Sequence, residues 1–446
     1  MQPNNNMRLA ILSAATGTLL EWYDVLMAVI LANVLSNQLF PSGDSNYFLE
    51  TLAIVGSSFF IRPLGSLFFG SLGDRKGRKK SFLLSLLLMG GATFLIGLLP
   101  TFAQIGWFAP ILLLVLRLAQ GFALSGEYSG AIIYVSENAP ADKRGYYTGF
   151  IQATVPLGLL MCLLVVIGVQ ATMSADDFNA WGWRIPFLLS AVLVVFSYFI
   201  RRKMDETPVF AQLKASGGLS ESPIKESLSD AKSWRLVFFI VFGGNAAQSS
   251  IMQTAQFVTL YFLQRAVKVD EFTSFLILAV SLLLGTPFFQ LAGAWSDKIG
   301  RRKVIYWGIC LSAISIPLSF YLFKTLGNPD NLTTSHPLSI LTTLLFIGLA
   351  FINTLGSALV YGPIGAYVTE FFPSRTRYTS MGFTHNISNG MIGGSTPLVT
   401  EALKTYLVVG GAFAPYVGLL YPMTLIGIAL VVNPFLKETA FEGLKK

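Results

Sequence analysis

Gly70-Ser-Leu-Gly-Asp74-Arg-Lys-Gly77-Arg78-Lys79-Lys80 returns, slightly altered, as Gly293-Ala-Trp-Ser-Asp297-Lys-Ile-Gly300-Arg301-Arg302-Lys303. Each copy sits between two long apolar runs, so the stretch reads as a basic loop between membrane-crossing helices, written twice. A second echo agrees: Glu137-Asn-Ala-Pro140-Ala-Asp-Lys-Arg144 is answered by Glu370-Phe-Phe-Pro373-Ser-Arg-Thr-Arg377. Asp74 and Asp297 lie 223 positions apart and Glu137 and Glu370 lie 233 apart. One repeat therefore covers about half the chain, and a short insertion accounts for the difference. Loops of like charge at equivalent places imply that both repeats cross the bilayer with the same orientation.

Composition points the same way. Hydrophobic residues make up 53% of the chain and charged residues 12%, and the mean hydropathy is +0.62. These values belong to an integral membrane protein rather than a soluble domain. The net charge of +8 would suit nucleic acid if it were spread over a folded surface. Here Lys and Arg gather at the ends of apolar runs, so the charge reads as topology and no nucleic-acid partner is expected. Cys162 and Cys310 both fall in apolar segments and read as packing residues, and neither a metal nor a cofactor is expected. The apolar stretch after Arg8 outruns a signal-peptide core and lacks a cleavage pattern, so it is expected to stay in the mature protein.

A span needs roughly 20 apolar residues. That window predicts an all-α protein with twelve transmembrane helices, at 9–39, 48–72, 81–100, 107–136, 146–172, 182–202, 235–264, 271–296, 303–326, 338–371, 378–408 and 412–436. The loops on one side, with the two termini, hold 24 Lys and Arg; the loops on the other hold only Arg184, Arg265, Lys268, Lys324 and Lys404. By the positive-inside rule both termini are cytoplasmic. The polar stretch 203–234, with Gly217-Gly218 and several Ser, reads as a cytoplasmic linker between a six-helix half at 1–202 and another at 235–446. It is too short and too charged to be a catalytic domain, and no other loop has room for one. No phosphate-binding glycine loop or metal cluster is present, and Gly126-Glu-Tyr-Ser129-Gly130 does not match a nucleophile elbow. The expected partners are the lipid bilayer, a small-molecule substrate and protons, and the expected oligomeric state is a monomer.

Charges inside a span cost about 2.5–3.5 kcal/mol each on the insertion scale, so each needs a reason. Span one carries Glu21 and Asp24, span two Arg62, and span four Arg117 and Glu127. Glu21 and Asp24, three apart, lie on neighbouring parts of one helical face. A buried acid whose Arg partner comes and goes can load and release a proton, which makes Asp24 with Arg117, and beside them Glu21 and Glu127, candidates for proton coupling. A static Arg117–acid pair that only fixes helix packing is the alternative. The second repeat offers uncharged groups instead. Asn245, Gln248, Ser249 and Gln256 share one phase of span seven, His385 and Asn389 are four apart in span eleven beside Asn386, and span ten adds Asn353 and Tyr361. With Arg62, Arg117 and Gln152, these polar groups are candidates for substrate binding; Tyr23 and Tyr128 join them as aromatic faces suited to a quaternary ammonium.

The Gly70 to Lys80 loop resembles the signature of the major facilitator superfamily, and the Gly293 to Lys303 copy its weaker second-half counterpart. Phe60-Ile-Arg62-Pro63-Leu-Gly65, Arg117-Leu-Ala-Gln120-Gly121-Phe-Ala-Leu-Ser-Gly126-Glu127-Tyr128, Trp183-Arg184-Ile-Pro186 and Asp205-Glu206-Thr-Pro208 resemble more specifically the metabolite:proton symporters. Relatives in that family carry proline and glycine betaine, 2-oxoglutarate, citrate or shikimate. The resemblance implies the two-bundle fold and a plasma-membrane location, in bacteria the inner membrane. It implies proton-coupled import of a small carboxylate-bearing solute by alternating access, with no enzymatic activity. It also implies a cytoplasmic gate at Gly70, Asp74, Arg75, Gly77 and Arg78 and at Asp297 and Arg301, with Glu137, Arg144, Glu370 and Arg377 as its charge relay. Span seven is richer in Gln than the family pattern, which argues against transferring any one relative's substrate. A proton-driven exporter and a transporter-like sensor are the rival readings.

Overall fold

The computed structural model describes residues 5–41, 47–202, 208–407, 410–441 and 444, and these are almost wholly helical, with one isolated β-bridge between Val269 and His336. In chain order the main helices are α1 (Asn5–Ile30), α2 (Ala32–Leu39), α3 (Tyr47–Phe60), α4 (Arg62–Lys76), α5 (Arg78–Gly97), α6 (Phe108–Asn138), α7 (Arg144–Ala171) and α8 (Ile185–Arg202). The second repeat supplies α9 (Ala231–Ile240), α10 (Ala246–Gln253), α11 (Glu271–Ile299), α12 (Arg301–Gly327), α13 (Ile340–Phe371), α14 (Arg377–Asn386), α15 (Thr396–Tyr406) and α16 (Leu420–Val432).

Among the described residues ten helices are long and apolar enough to cross a membrane, and joining the pair Ala14–Ile30 and Ala32–Leu39, bent by 57°, makes eleven. Twelve spans were the expectation, and three of them are bent or interrupted. The first bends at Leu31. The one expected at 378–408 is α14, then a π-helical stretch Ile387–Ile392, a turn through Gly393 and Gly394, and α15. Glycine is a poor helix former, and Pro397 opens a new helix more readily than it continues an old one. The seventh span is likewise interrupted, by π-turns at Val241–Asn245, Thr254–Val258 and Phe262–Val267. Such turns free backbone carbonyls and often mark functional segments.

The stretch expected as a linker contains two short helices, Pro208–Ala215 and Pro223–Leu228, and α9 begins inside it at Ala231. Asp230 caps α9 by accepting from Ser233 N at 2.9 Å, and this hydrogen bonding holds its carboxyl below the usual range. Lys203, Asp205, Glu206, Lys445 and Lys446 lie outside the described residues, as do the side chains of Arg8, Arg78 and Arg201.

Within the first repeat α1 packs on α7 and α8, and α5 packs on α6 and α8; within the second, α13 packs on α11 and α12. The two most extensive contacts between the repeats are α7 with α11 and α4 with α14. The loop echoes make α4 equivalent to α11, and α7 to α14. The two crossings are therefore one contact seen twice, related by a pseudo-two-fold axis between the repeats.

Candidate functional site

The basic end of the molecule is closed by a doubled set of contacts. Asp74, at the end of α4, accepts from Thr379 N at 3.0 Å and Thr379 Oγ1 at 2.8 Å. Thr379 lies in the first turn of α14, so the carboxylate caps the helix of the opposite repeat and meets its positive dipole end. Asp297 repeats this on α7, accepting from Gly145 N at 2.8 Å and Tyr146 N at 2.7 Å. Two buried ion pairs flank the caps and also mirror one another: Arg144 Nη1 to Glu370 Oε1 at 3.4 Å and Arg377 Nη1 to Glu137 Oε1 at 2.9 Å. Glu370 additionally binds Arg301 Nη2 at 3.1 Å and accepts from Thr439 Oγ1 at 2.5 Å.

The glycines have a steric role. A Cβ on Gly70 would meet Thr379 Cα at 3.0 Å, and one on Gly145 would stand 2.3 Å from the Gly293 carbonyl. Gly77 and Gly300 take φ of 103° and 110° where the two loops turn, a conformation that disfavours any side chain. Arg75 is exposed at the helix end, and the side chain of Arg78 is not described.

The opposite end is closed as well, by residues the motifs did not single out. Tyr261 Oη donates to Val29 O at 2.7 Å, and Asn33 Nδ2 to Gln264 Oε1 at 3.2 Å. The Arg265 guanidinium lies 4.0 Å over the Phe48 ring and is held from behind by Glu401 at 3.5 Å. Arg265 is counted in the sequence only as a loop charge. Nothing in hydropathy or motif marks the uncharged Tyr261 and Gln264.

Between the two closed ends lies a cluster drawn from both repeats. Tyr128 of α6 stacks on His385 of α14 with ring centroids 4.5 Å apart, and lies 6.2 Å from Tyr361 of α13. Trp22 meets Tyr128 edge-on at 5.9 Å, and the Tyr128 hydroxyl donates to Gln152 Oε1. Asn389 Nδ2 donates to Asn245 Oδ1 at 3.0 Å and contacts His385 Nδ1 at 3.2 Å. Arg62 Nε donates to Asn386 Oδ1 at 2.8 Å, while its Nη2 is buried without a hydrogen-bond partner. Gln248 and Gln256, both fully buried, have neither amide atom partnered. Tyr128, Gln152, Asn245, Tyr361, His385, Asn389 and Arg62 are thus brought together as the polarity pattern suggested.

Other candidates stand elsewhere. Tyr23 points away from the cluster and donates from its hydroxyl to Pro186 O at 2.6 Å, tying α1 to α8. Glu127 turns towards α5, where Ser85 Oγ donates to it at 3.3 Å, and Glu21 is buried in α1. Asp24 and Arg117 are both buried but form no ion pair. Arg117 instead donates to Val55 O from Nε (3.2 Å) and Nη2 (2.9 Å), to Ser58 Oγ (2.8 Å), to Val25 O (3.1 Å) and to Gln120 Oε1 (2.7 Å). All five of its N–H groups are used, four of them tying α6 to α1 and α3 and one bonding Gln120 within α6. Asp24 Oδ1 has no hydrogen-bond partner.

Two repeats that close over a shared polar centre from both ends are the construction of a membrane carrier, a secondary transporter. The model of the Major Facilitator Superfamily matches residues 14–397, and the chain belongs to that family. It is 32% identical over 415 residues to a putative metabolite transport protein of Haemophilus influenzae, covering 90% of this chain and 88% of that one. It is 31% identical to a glycine betaine, proline, ectoine and pipecolic acid transporter of Dickeya dadantii (99% and 85% covered) and 32% identical to the alpha-ketoglutarate permease of Escherichia coli (89% and 87%). The fold is also that of the proton:xylose symporter XylE, at a TM-score of 0.72 and 18% identity, over 98% of this chain and 97% of that one.

Proposed function

We propose that this protein imports a small carboxylate-bearing solute together with protons by alternating access across a bacterial inner membrane. It works as a monomer with twelve spans, a first half at 1–202, a linker at 203–234 and a second half at 235–446, and with both termini cytoplasmic. The observation that carries the solute class is Arg62. It is a buried guanidinium at the junction of the repeats, anchored through Nε and with Nη2 still open to a ligand. A carboxylate is the partner that such a group binds through a charge-assisted bond. Asp24, buried with an unpartnered oxygen one helix away, supplies the proton site. Relatives named for betaine, proline and alpha-ketoglutarate, all carboxylates, support the class.

The cycle then follows from the two closures. Opening towards the outside breaks the Tyr261 and Arg265 contacts while the helix caps hold the basic, cytoplasmic end. Opening inwards breaks the caps at Asp74 and Asp297 and the pairs at Glu137 and Glu370 while the outer contacts re-form.

The test is uptake into proteoliposomes under an imposed proton gradient. Asp24→Asn should abolish gradient-driven accumulation and keep part of the solute exchange. Undiminished accumulation in that variant would remove Asp24 from the coupling step, and solute moving against the proton flow would reverse the direction.

A further inference from the structure

Span eleven is one apolar stretch in the sequence and two helices in the structure, and the halves keep different company. Its inner half, α14, packs on α4 and α6 of the first repeat at the basic end. Its outer half, α15, packs on α3, on the π-turn Thr254–Val258 of the seventh span, on α16 and on the 3-10 segment Gly411–Leu419. Between them run the π-turn Ile387–Ile392 and the pair Gly393-Gly394. Pro397 brings no N–H to bridge the break. A continuous helix carries a movement at one end to the other, whereas a broken one lets its ends open separately, as alternating access requires.

Arg62 sits on the break. Its Nε donates to Asn386, the last residue of α14, at 2.8 Å, and a Cβ on Gly390 would lie 2.7 Å from Phe59 O and 3.2 Å from Arg62 Cβ. One on Gly394 would meet the Phe59 ring at 2.8 Å. The corner between α3 and α4 that carries Arg62 therefore rests directly on these glycines. The far part of α15 carries a set of charges. Glu401 Oε1 lies 3.5 Å from Arg265 Nε and its Oε2 lies 3.3 Å from Lys404 Nζ, while Arg265 covers the Phe48 ring of the first repeat at 4.0 Å. Glu401 holds two cations together, and without its charge they repel. Through Arg265 it also ties α15 to the first repeat.

We propose that α15 is a lid on the outer end of the carrier, swinging at Gly390–Gly394 and latched by Glu401 through Arg265 onto Phe48, with Arg62 setting the hinge. This rests on the transport reading above and adds a moving part to it: a solute drawn to Arg62 bears on the hinge of the lid that encloses it.

The experiment reads distances between spin labels in the purified full chain, in a background of Cys162→Ser and Cys310→Ser. One pair joins Tyr406 on α15 to Asn37 on α2, across the repeats; the other joins Tyr406 to Leu341 on α13, within the second repeat, and all three positions are exposed. Glu401→Gln and Phe48→Leu should each raise the long-distance population of both pairs about threefold, the worth of a cation–π contact at a half-exposed site. Phe48→Tyr keeps the ring face and should match the parent. Arg62→Met, remote from the latch, should broaden the Tyr406–Leu341 distances by loosening the hinge. Lengthening of the Tyr406–Asn37 pair alone would mean that the repeats rock as rigid bodies, which removes the lid and leaves the transporter. Both pairs unchanged in Glu401→Gln and Phe48→Leu variants that melt like the parent would overturn the latch, and an unchanged Tyr406–Leu341 pair in Arg62→Met would detach Arg62 from the hinge. No solute is added, so uptake that fails in proteoliposomes counts against the transport reading and not against the lid.

Discussion

Replacing Asp74 and Asp297 by Asn should open the basic end of the protein. Each carboxylate accepts two hydrogen bonds from the first turn of a helix in the opposite repeat. Asn preserves the volume and one acceptor oxygen, so at Asp74, where Oδ2 accepts both bonds, what disappears is the charge, whereas at Asp297, where Oδ1 and Oδ2 each accept one N–H, a hydrogen bond is lost as well. A charge against a partly buried helix N-terminus contributes up to about 2 kcal/mol, and the single variants should therefore lose about 1–2 kcal/mol of basic-end closure. At 1.4 kcal/mol per factor of ten, Asp74→Asn shifts the open-to-closed ratio roughly tenfold, and the double variant roughly 30- to 1,000-fold. Asp297→Asn should be the stronger single change, because Asp297 also pairs with Arg301 Nη1 at 2.5 Å. Spin labels on cysteines at the exposed Arg75 and Arg375 positions, one in each repeat, read the separation directly. The expected result is a growing long-distance population in the order parent, Asp74→Asn, Asp297→Asn, double variant. An unchanged distance distribution in a double variant that melts like the parent would refute the idea that these caps hold the basic end shut.

Arg117→Met should lower thermal stability by about 2–4 kcal/mol, since it removes five charged-donor contacts at once, and should depress exchange and accumulation together. If accumulation is lost while exchange and melting temperature are those of the parent, Arg117 is a coupling partner rather than a tie between helices. Gly145→Val puts a side chain where even a Cβ lies 2.3 Å from the Gly293 carbonyl, so it should push α7 off α11 and cut uptake more than tenfold. Gly348→Ala, with nothing within 4 Å, should leave uptake unchanged, and equal activity in the two variants would show that the close crossing is not needed.

The repeat and the charged loops were legible because charged residues must sit at helix ends, and because Asp74 and Asp297 recur with glycines at fixed distances. The central polar residues were legible as polarity where hydrocarbon is expected. Direction was not. Tyr23 and Tyr128 are both aromatic residues in apolar helices, yet one donates to Pro186 and the other stacks on His385. The surroundings of Arg117 were hidden for a related reason, because its acceptors are largely the carbonyls of Val25 and Val55, which carry no side-chain signature. Hydropathy windows also pass over π-turns, so the broken span at Ile387–Ile392 read as continuous.

The two repeats agree in scaffold and differ in charge, and the difference bears on how the proposed proton site can be coupled to the solute. An offset of 233 carries Tyr128 onto Tyr361, Gln152 onto His385 and Gln120 onto Asn353, so the aromatic centre straddles the pseudo-two-fold axis. The same offset carries Arg117 onto Ala350, and an offset of 224 carries Glu21 and Asp24 onto Asn245 and Gln248. Symmetric packing suits a carrier, because the same helix crossings must form and break at both ends. A symmetric set of acids would not suit it, since two equivalent proton sites would load independently of the solute. Amides in place of the second pair keep much the same shape but leave no group there to ionise. In the proposed cycle the first repeat keeps the acid and the second forms an uncharged wall, with Arg62, equivalent to Gly285 at the 223 offset, standing where the two meet.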